Sequence, residues 1–153
     1  MNAVSEFKVI KQVNTCSAKI LREGSVSDFE ANRFSLEHTN YPEIEGETWT
    51  LSIVQMKKVP DDKVENRTIT IVVPYSAEDG NFPITDTNKR IYFDFVDSSD
   101  SEPYIHVAEK GSVNLTFERK GAEVSTISGR FDVTVSDYNV PSFQISGSLY
   151  YSK

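Results

Sequence analysis

Hydrophobic and polar residues alternate through the C-terminal third of the chain. In "GSVNLTF" the apolar residues are Val113, Leu115 and Phe117; in "TISGRFDVTVS" they are Ile127, Phe131, Val133 and Val135. In "SFQISGSLYY" they are Phe143, Ile145, Leu149 and Tyr151. All stand at odd positions, and the even positions between them are polar, with Tyr150 the exception. One dry and one wet face at period two is the mark of antiparallel strands. The rhythm continues upstream with Trp49, Leu51 and Ile53, with Ile69, Ile71, Val73 and Tyr75, and with Ile91, Phe93 and Phe95. Shorter strands are predicted at 17–21 and 33–38. "SVSDFEANRF" at 25–34 predicts one short helical turn, capped by Ser25 or Ser27; no 3.6-residue period is sustained.

The separators carry turn chemistry: "EDGN" at 78–81, "DTNK" at 86–89, "RKGA" at 119–122 and "DYNVP" at 137–141. All six prolines fall at the ends of these runs or between them, where no ladder hydrogen bond is lost. The pattern predicts a single all-β domain over 1–153, an antiparallel meander of eight to ten strands forming a β-sandwich or flattened β-barrel.

Ile-Ser-Gly occurs twice, at 127–129 and 145–147, each time with glycine on the apolar phase. A turn about Asn139 sets Val135 opposite Phe143, Val133 opposite Ile145, Phe131 opposite Gly147 and Gly129 opposite Leu149. Each glycine then faces a large apolar side chain, and the pair reads as a bending device rather than a ligand seat. A side chain on Gly147 is expected to clash with Phe131.

Composition narrows the function classes. A net charge of −7 over 153 residues lacks the basic face that nucleic acid requires and disfavours anionic membrane surfaces. No apolar run approaches a membrane span or a signal-peptide core. The expectation is a cytoplasmic chain as written, or an extracellular one by a non-classical route or after removal of a leader. Cys16 is the only cysteine, so an intramolecular disulfide is impossible, and the thiol reads as a small core residue.

Chemistry-bearing motifs are sparse. His38 and His106 are the only histidines; neither lies in a nucleophile motif, and no nucleophile elbow or phosphate-cradling glycine pattern is present. Asp97, Asp100 and Glu102 offer oxygen donors in "VDSSDSEP", but without the order or the glycine of a calcium loop. No catalytic residue, metal or cofactor is expected. Asn66-Arg67-Thr68 and Asn114-Leu115-Thr116 match the glycan-acceptor pattern, which matters only in a secretory setting.

"GETWT" at 46–50 resembles the Gly and Trp near the first strand of lipocalin-like barrels, with the spacing off by one; Trp49 reads as a core anchor. "DGNFPI" at 79–84, "KGSVNLTF" at 110–117, "ISGRFDVTV" at 127–135 and "ISGSLYY" at 145–151 resemble uncharacterised bacterial all-β domains, many of them envelope lipoproteins. That resemblance, over 69–151, implies a β-fold and a bacterial source and supplies no catalytic residues. The functional expectation is a non-enzymatic binding domain that contacts a protein or glycan partner through loops and edge strands, such as 97–103 and 76–90. The candidate contact residues are Tyr75, Phe82, Asp97, Asp100, Glu102, Tyr104 and Tyr138. The alternatives are a lipocalin-like small-molecule carrier and an inhibitor or immunity-type protein.

Overall fold

The β-branched and aromatic runs become ten strands in the computed structural model, which describes residues 13–60, 63–98, 104–137 and 140–153. In chain order they are β1 (Thr15–Arg22), β2 (Ser25–Glu30), β3 (Arg33–Asn40), β4 (Glu47–Val59) and β5 (Lys63–Pro74). There follow β6 (Gly80–Ile84), β7 (Tyr92–Asp97), β8 (Tyr104–Lys120), β9 (Glu123–Asp137) and β10 (Val140–Ser152). The all-β expectation holds, and its form is one antiparallel sheet curled into a half-barrel. The strand order is β2-β1-β10-β9-β8-β7-β5-β4-β3. β8 is long enough to serve two neighbours on one edge, pairing with β7 over Tyr104–Val107 and with β6 over Gly111–Leu115.

The expected helical turn at 25–34 is absent. Those residues are β2, the link Ala31–Asn32 and the start of β3. β2 escaped the alternation rule because only Phe29 of its six residues is buried. β6 occupies a segment read as turn, and Pro83 lies within it; there it costs nothing, since among the described residues β6 pairs only with β8.

The two outermost strands, β2 and β3, are consecutive in sequence. The amide of Ala31 donates to the Cys16 carbonyl on β1 (3.0 Å), and the amide of Asn32 donates to the Val54 carbonyl on β4 (2.8 Å). The Asn32 side chain adds a donated bond to Met56 O (2.8 Å) and accepts one from Met56 N (3.0 Å). Within two residues the chain passes from one edge of the sheet to the other, which holds the sheet curled.

The concave face is filled. Phe29 meets Phe95 edge-on at 6.5 Å, Phe93 meets Phe131 at 5.4 Å, and Phe95 meets Phe143 at 6.1 Å. Trp49 is 3% exposed, the anchor expected of it. Cys16 is buried as expected, and burial, helped by Glu30, pushes its thiol up to about 12, so it stays protonated and inert. His106 is buried too, between Phe95 and Phe143, at 6.1 and 4.9 Å.

The register of the last hairpin is the one expected: Val135 opposite Phe143, Phe131 opposite Gly147, Gly129 opposite Leu149. The expected clash partner is corrected. A Cβ on Gly147 would meet not Phe131 but β1, striking the Ser17 carbonyl oxygen and lying 2.6 Å from Ala18 Cβ. A Cβ on Gly129 would likewise strike the Asn114 carbonyl of β8. The bare positions let neighbouring backbones close in where the sheet bends. Gly147→Val is therefore expected to destabilise by about 3 kcal/mol, the upper end of ordinary overpacking, because backbone must move. Urea unfolding followed by Trp49 fluorescence measures it. A loss that Phe131→Ala relieves and Ala18→Gly does not would restore Phe131 as the obstacle.

Candidate functional site

At one end of the half-barrel β4 begins, β5 ends and β6 begins, and three aromatic side chains gather there. His38 is in register with Trp49, and Trp49 with Val73. Tyr75 lies two residues past Val73, so it reaches the same face one step nearer the rim. Its amide donates to Glu47 O (2.9 Å). The Tyr75 ring stacks on Trp49 at 5.0 Å and meets His38 at 4.4 Å. His38 Nε2 lies 3.6 Å from Glu47 Oε1, and Lys153 Nζ sits 5.5 Å from the centre of the Trp49 ring.

The segments around this trio are pinned. The Arg119 guanidinium donates to the carbonyls of Tyr75 (3.1 Å) and Ala77 (2.8 Å), and Asp79 accepts the Phe117 amide (2.8 Å). In the loop before β7, Asn88 Nδ2 donates to Pro83 O (2.6 Å) and Asn88 Oδ1 accepts the Arg90 amide (3.1 Å). Between these segments lie two open grooves. One, of about 430 Å³, runs between Glu45–Glu47, Pro74–Ser76 and Lys89–Arg90. The other, of about 510 Å³, is bounded by Glu78–Pro83, Asn88 and again Ser76 and Arg90. They meet at Ser76 and Arg90, and their walls carry both signs of charge: Lys89 and Arg90 against Glu45, Glu47 and Glu78.

The candidate residues named from sequence divide. Tyr75 belongs to the rim trio. Phe82 borders the second groove but is 7% exposed, packed in the core opposite Val113. Its place in the core runs against the expectation of an exposed loop aromatic: Phe82 is on strand β6. Asp97 and Tyr104 are paired at the start of the β7–β8 connection, at the opposite end of the sheet, with Tyr104 half exposed. Asp100, Glu102 and Tyr138 lie outside the described residues. Among the described residues no cluster of His, Cys, Asp and Glu could hold a metal, and no helix is long and apolar enough to cross a membrane.

A second polar group escaped the sequence reading. Loop 41–46 folds over the convex face of β5 and β7, where Val72 and Asp94 are buried although they stand on the wet phase. The Tyr41 ring lies 4.8 Å from Tyr92, whose hydroxyl donates to Asp94 Oδ2 (2.8 Å). Burial raises the Asp94 carboxyl above its ordinary range and Glu43 adds to the rise, against hydrogen bonds from Tyr92 and Thr70. Its Oδ1 finds no donor among the described residues. The run Ile71-Val72-Val73, apolar on both phases, was the one hint that something covers this face.

No family model, curated protein or solved structure matches this chain. The resemblance of residues 69–151 to bacterial all-β domains therefore rests on its motifs alone.

Asp94 generates a pH prediction. Its folded pKa lies above the unfolded value, so its contribution to stability is whole at acid pH and is lost as pH rises through the raised value. Asp94→Asn keeps an acceptor for Tyr92 and has no proton to lose. The variant is expected to gain on the parent in urea midpoint as pH rises from the ordinary carboxyl range toward neutrality. Parallel pH profiles for the two chains would contradict the assignment.

Proposed function

We propose that this chain is a non-enzymatic interaction domain that engages a protein partner at the rim around Ser76 and Arg90. The observation that carries the reading is where the concavity lies. The interior of the curl is occupied by Trp49, Phe93, Phe95, Phe131 and Phe143, whereas two pre-formed grooves join outside it. Their mixed charge suits the alternating side chains of a protein surface. Tyr75 adds aromatic area at small entropic cost. A glycan is the other ligand class such a polar, aromatic-edged rim accommodates. A small-molecule carrier would instead need space with a few placed polar atoms inside the barrel.

A photo-crosslinking side chain placed at Ser76, in extract from the organism of origin, is expected to capture a discrete partner. The same group at Glu23, exposed at the opposite end in the β1–β2 turn, is expected to capture none. Arg90→Glu should abolish the Ser76 adduct while leaving the urea midpoint unchanged. Capture at Glu23 alone, or an adduct indifferent to Arg90→Glu, would move the interface elsewhere. A shift of Trp49 fluorescence on adding apolar ligands would favour the carrier.

A further inference from the structure

The two outer strands of the sheet are treated differently. The edge of β2 is guarded: the Arg67 guanidinium donates to the Asp28 carbonyl (2.5 Å), and the Asp28 carboxylate is held by Lys19. Among the described residues β3 has no comparable cover. Among the described residues it pairs only with β4, it contains no proline, and it runs for eight residues. Its exposed face carries Arg33, Ser35 and Glu37, while Phe34 and Leu36 on the other face are only partly buried. Neither Arg33 nor Glu37 has an ion-pair partner among the described residues. An unprotected edge of this length is a template for strand addition.

The sequence of β3 selects what adds to it. "RFSLE" at 33–37 is complementary to itself read backwards. When two copies pair antiparallel about Ser35, Arg33 of each faces Glu37 of the other, and Phe34 faces Leu36. Both charge pairs fall on the polar face and both apolar pairs on the inward face, as directly opposed residues of antiparallel strands share a side. Other registers lose this match. Centring on Leu36 sets Glu37 against Ser35, and centring on Glu37 sets the two Glu37 carboxylates against each other, which is destabilising. A shift by one residue places apolar side chains against charged ones.

We infer that the free edge of β3 is a self-association surface, joining two copies of this chain through antiparallel β3–β3 pairing centred on Ser35. The interface is isologous and closed, so it stops at a dimer and leaves no free β3 edge to propagate a fibre. It is independent of the rim around Ser76.

Sedimentation velocity on the full chain across micromolar to millimolar concentration tests it. The mass is expected to rise from 17.3 kDa toward twice that value. Arg33→Glu and Glu37→Arg should each raise the dissociation constant by about tenfold or more, since each turns two attractive contacts into two repulsive ones. The double variant should recover the parental value, because the swapped pairs attract again. Isotope-filtered spectra of mixed labelled and unlabelled chains should show Phe34–Leu36 contacts between copies. A monomer at every concentration overturns the inference, as does a dimer unaffected by Arg33→Glu or a double variant that stays weak. Contacts from β3 to residues 1–12 of the same chain would also overturn it, by assigning the edge to the chain's own beginning.

Discussion

Two residues set the shape of this molecule. Because Ala31 is bonded to β1 and Asn32 to β4, both strands must lie beside the same short stretch of chain, although seven strands separate the sheet's two outermost members. A flat sheet cannot satisfy that condition, since neighbouring strands are roughly 4.8 Å apart and the edges would be tens of ångströms distant. The curl, the filled concave face and the bare glycines on β9 and β10 follow from it. Where a sheet turns tightly, side chains on the inner phase run into the next backbone. Gly129 and Gly147 stand at two such places.

The same constraint bears on the proposed interaction surface. A curled sheet of this size, lined with Phe and Trp, closes over its own side chains, and concavity is left outside the curl, much of it where strands stop and loops begin. The rim around Ser76 is stiffened by Arg119, Asp79 and Asn88. A partner meeting it encounters segments already ordered, which lowers the entropic cost of association.

How much of this could be read from the sequence depended on whether the information was local. Alternation announced β4, β5 and β7–β10, because each has one face against the core and period two records that directly. The register of β9 and β10 was legible because a short turn and two matched glycines fix it. β2 was invisible, since its single buried residue, Phe29, makes no pattern. The candidate site was legible only in part. Tyr75 was named for being an aromatic beside a turn, and Lys89 and Arg90 fall in the loop 76–90 expected to carry function but were not singled out, because only the strand order brings that loop beside Glu47. Asp97 and Tyr104 were grouped with Tyr75 for the same want of topology. Nothing in the polar residue Asp94 itself signals that loop 41–46 lies over it.

The pairing of β1 with β10 has a consequence for the chain as it is made. Thr15 faces Tyr150 and Leu21 faces Gln144, so β1 waits for a strand synthesised after the eight that lie between them in sequence. Until then the apolar side of β1, with Cys16, Ala18 and Ile20, has only the short β2 beside it. Such long-range pairing makes folding slow and leaves an uncompleted edge exposed on the ribosome. The demand on chaperones should be greatest before β10 emerges. Truncation within β10 should therefore leave a species that aggregates rather than a smaller folded domain.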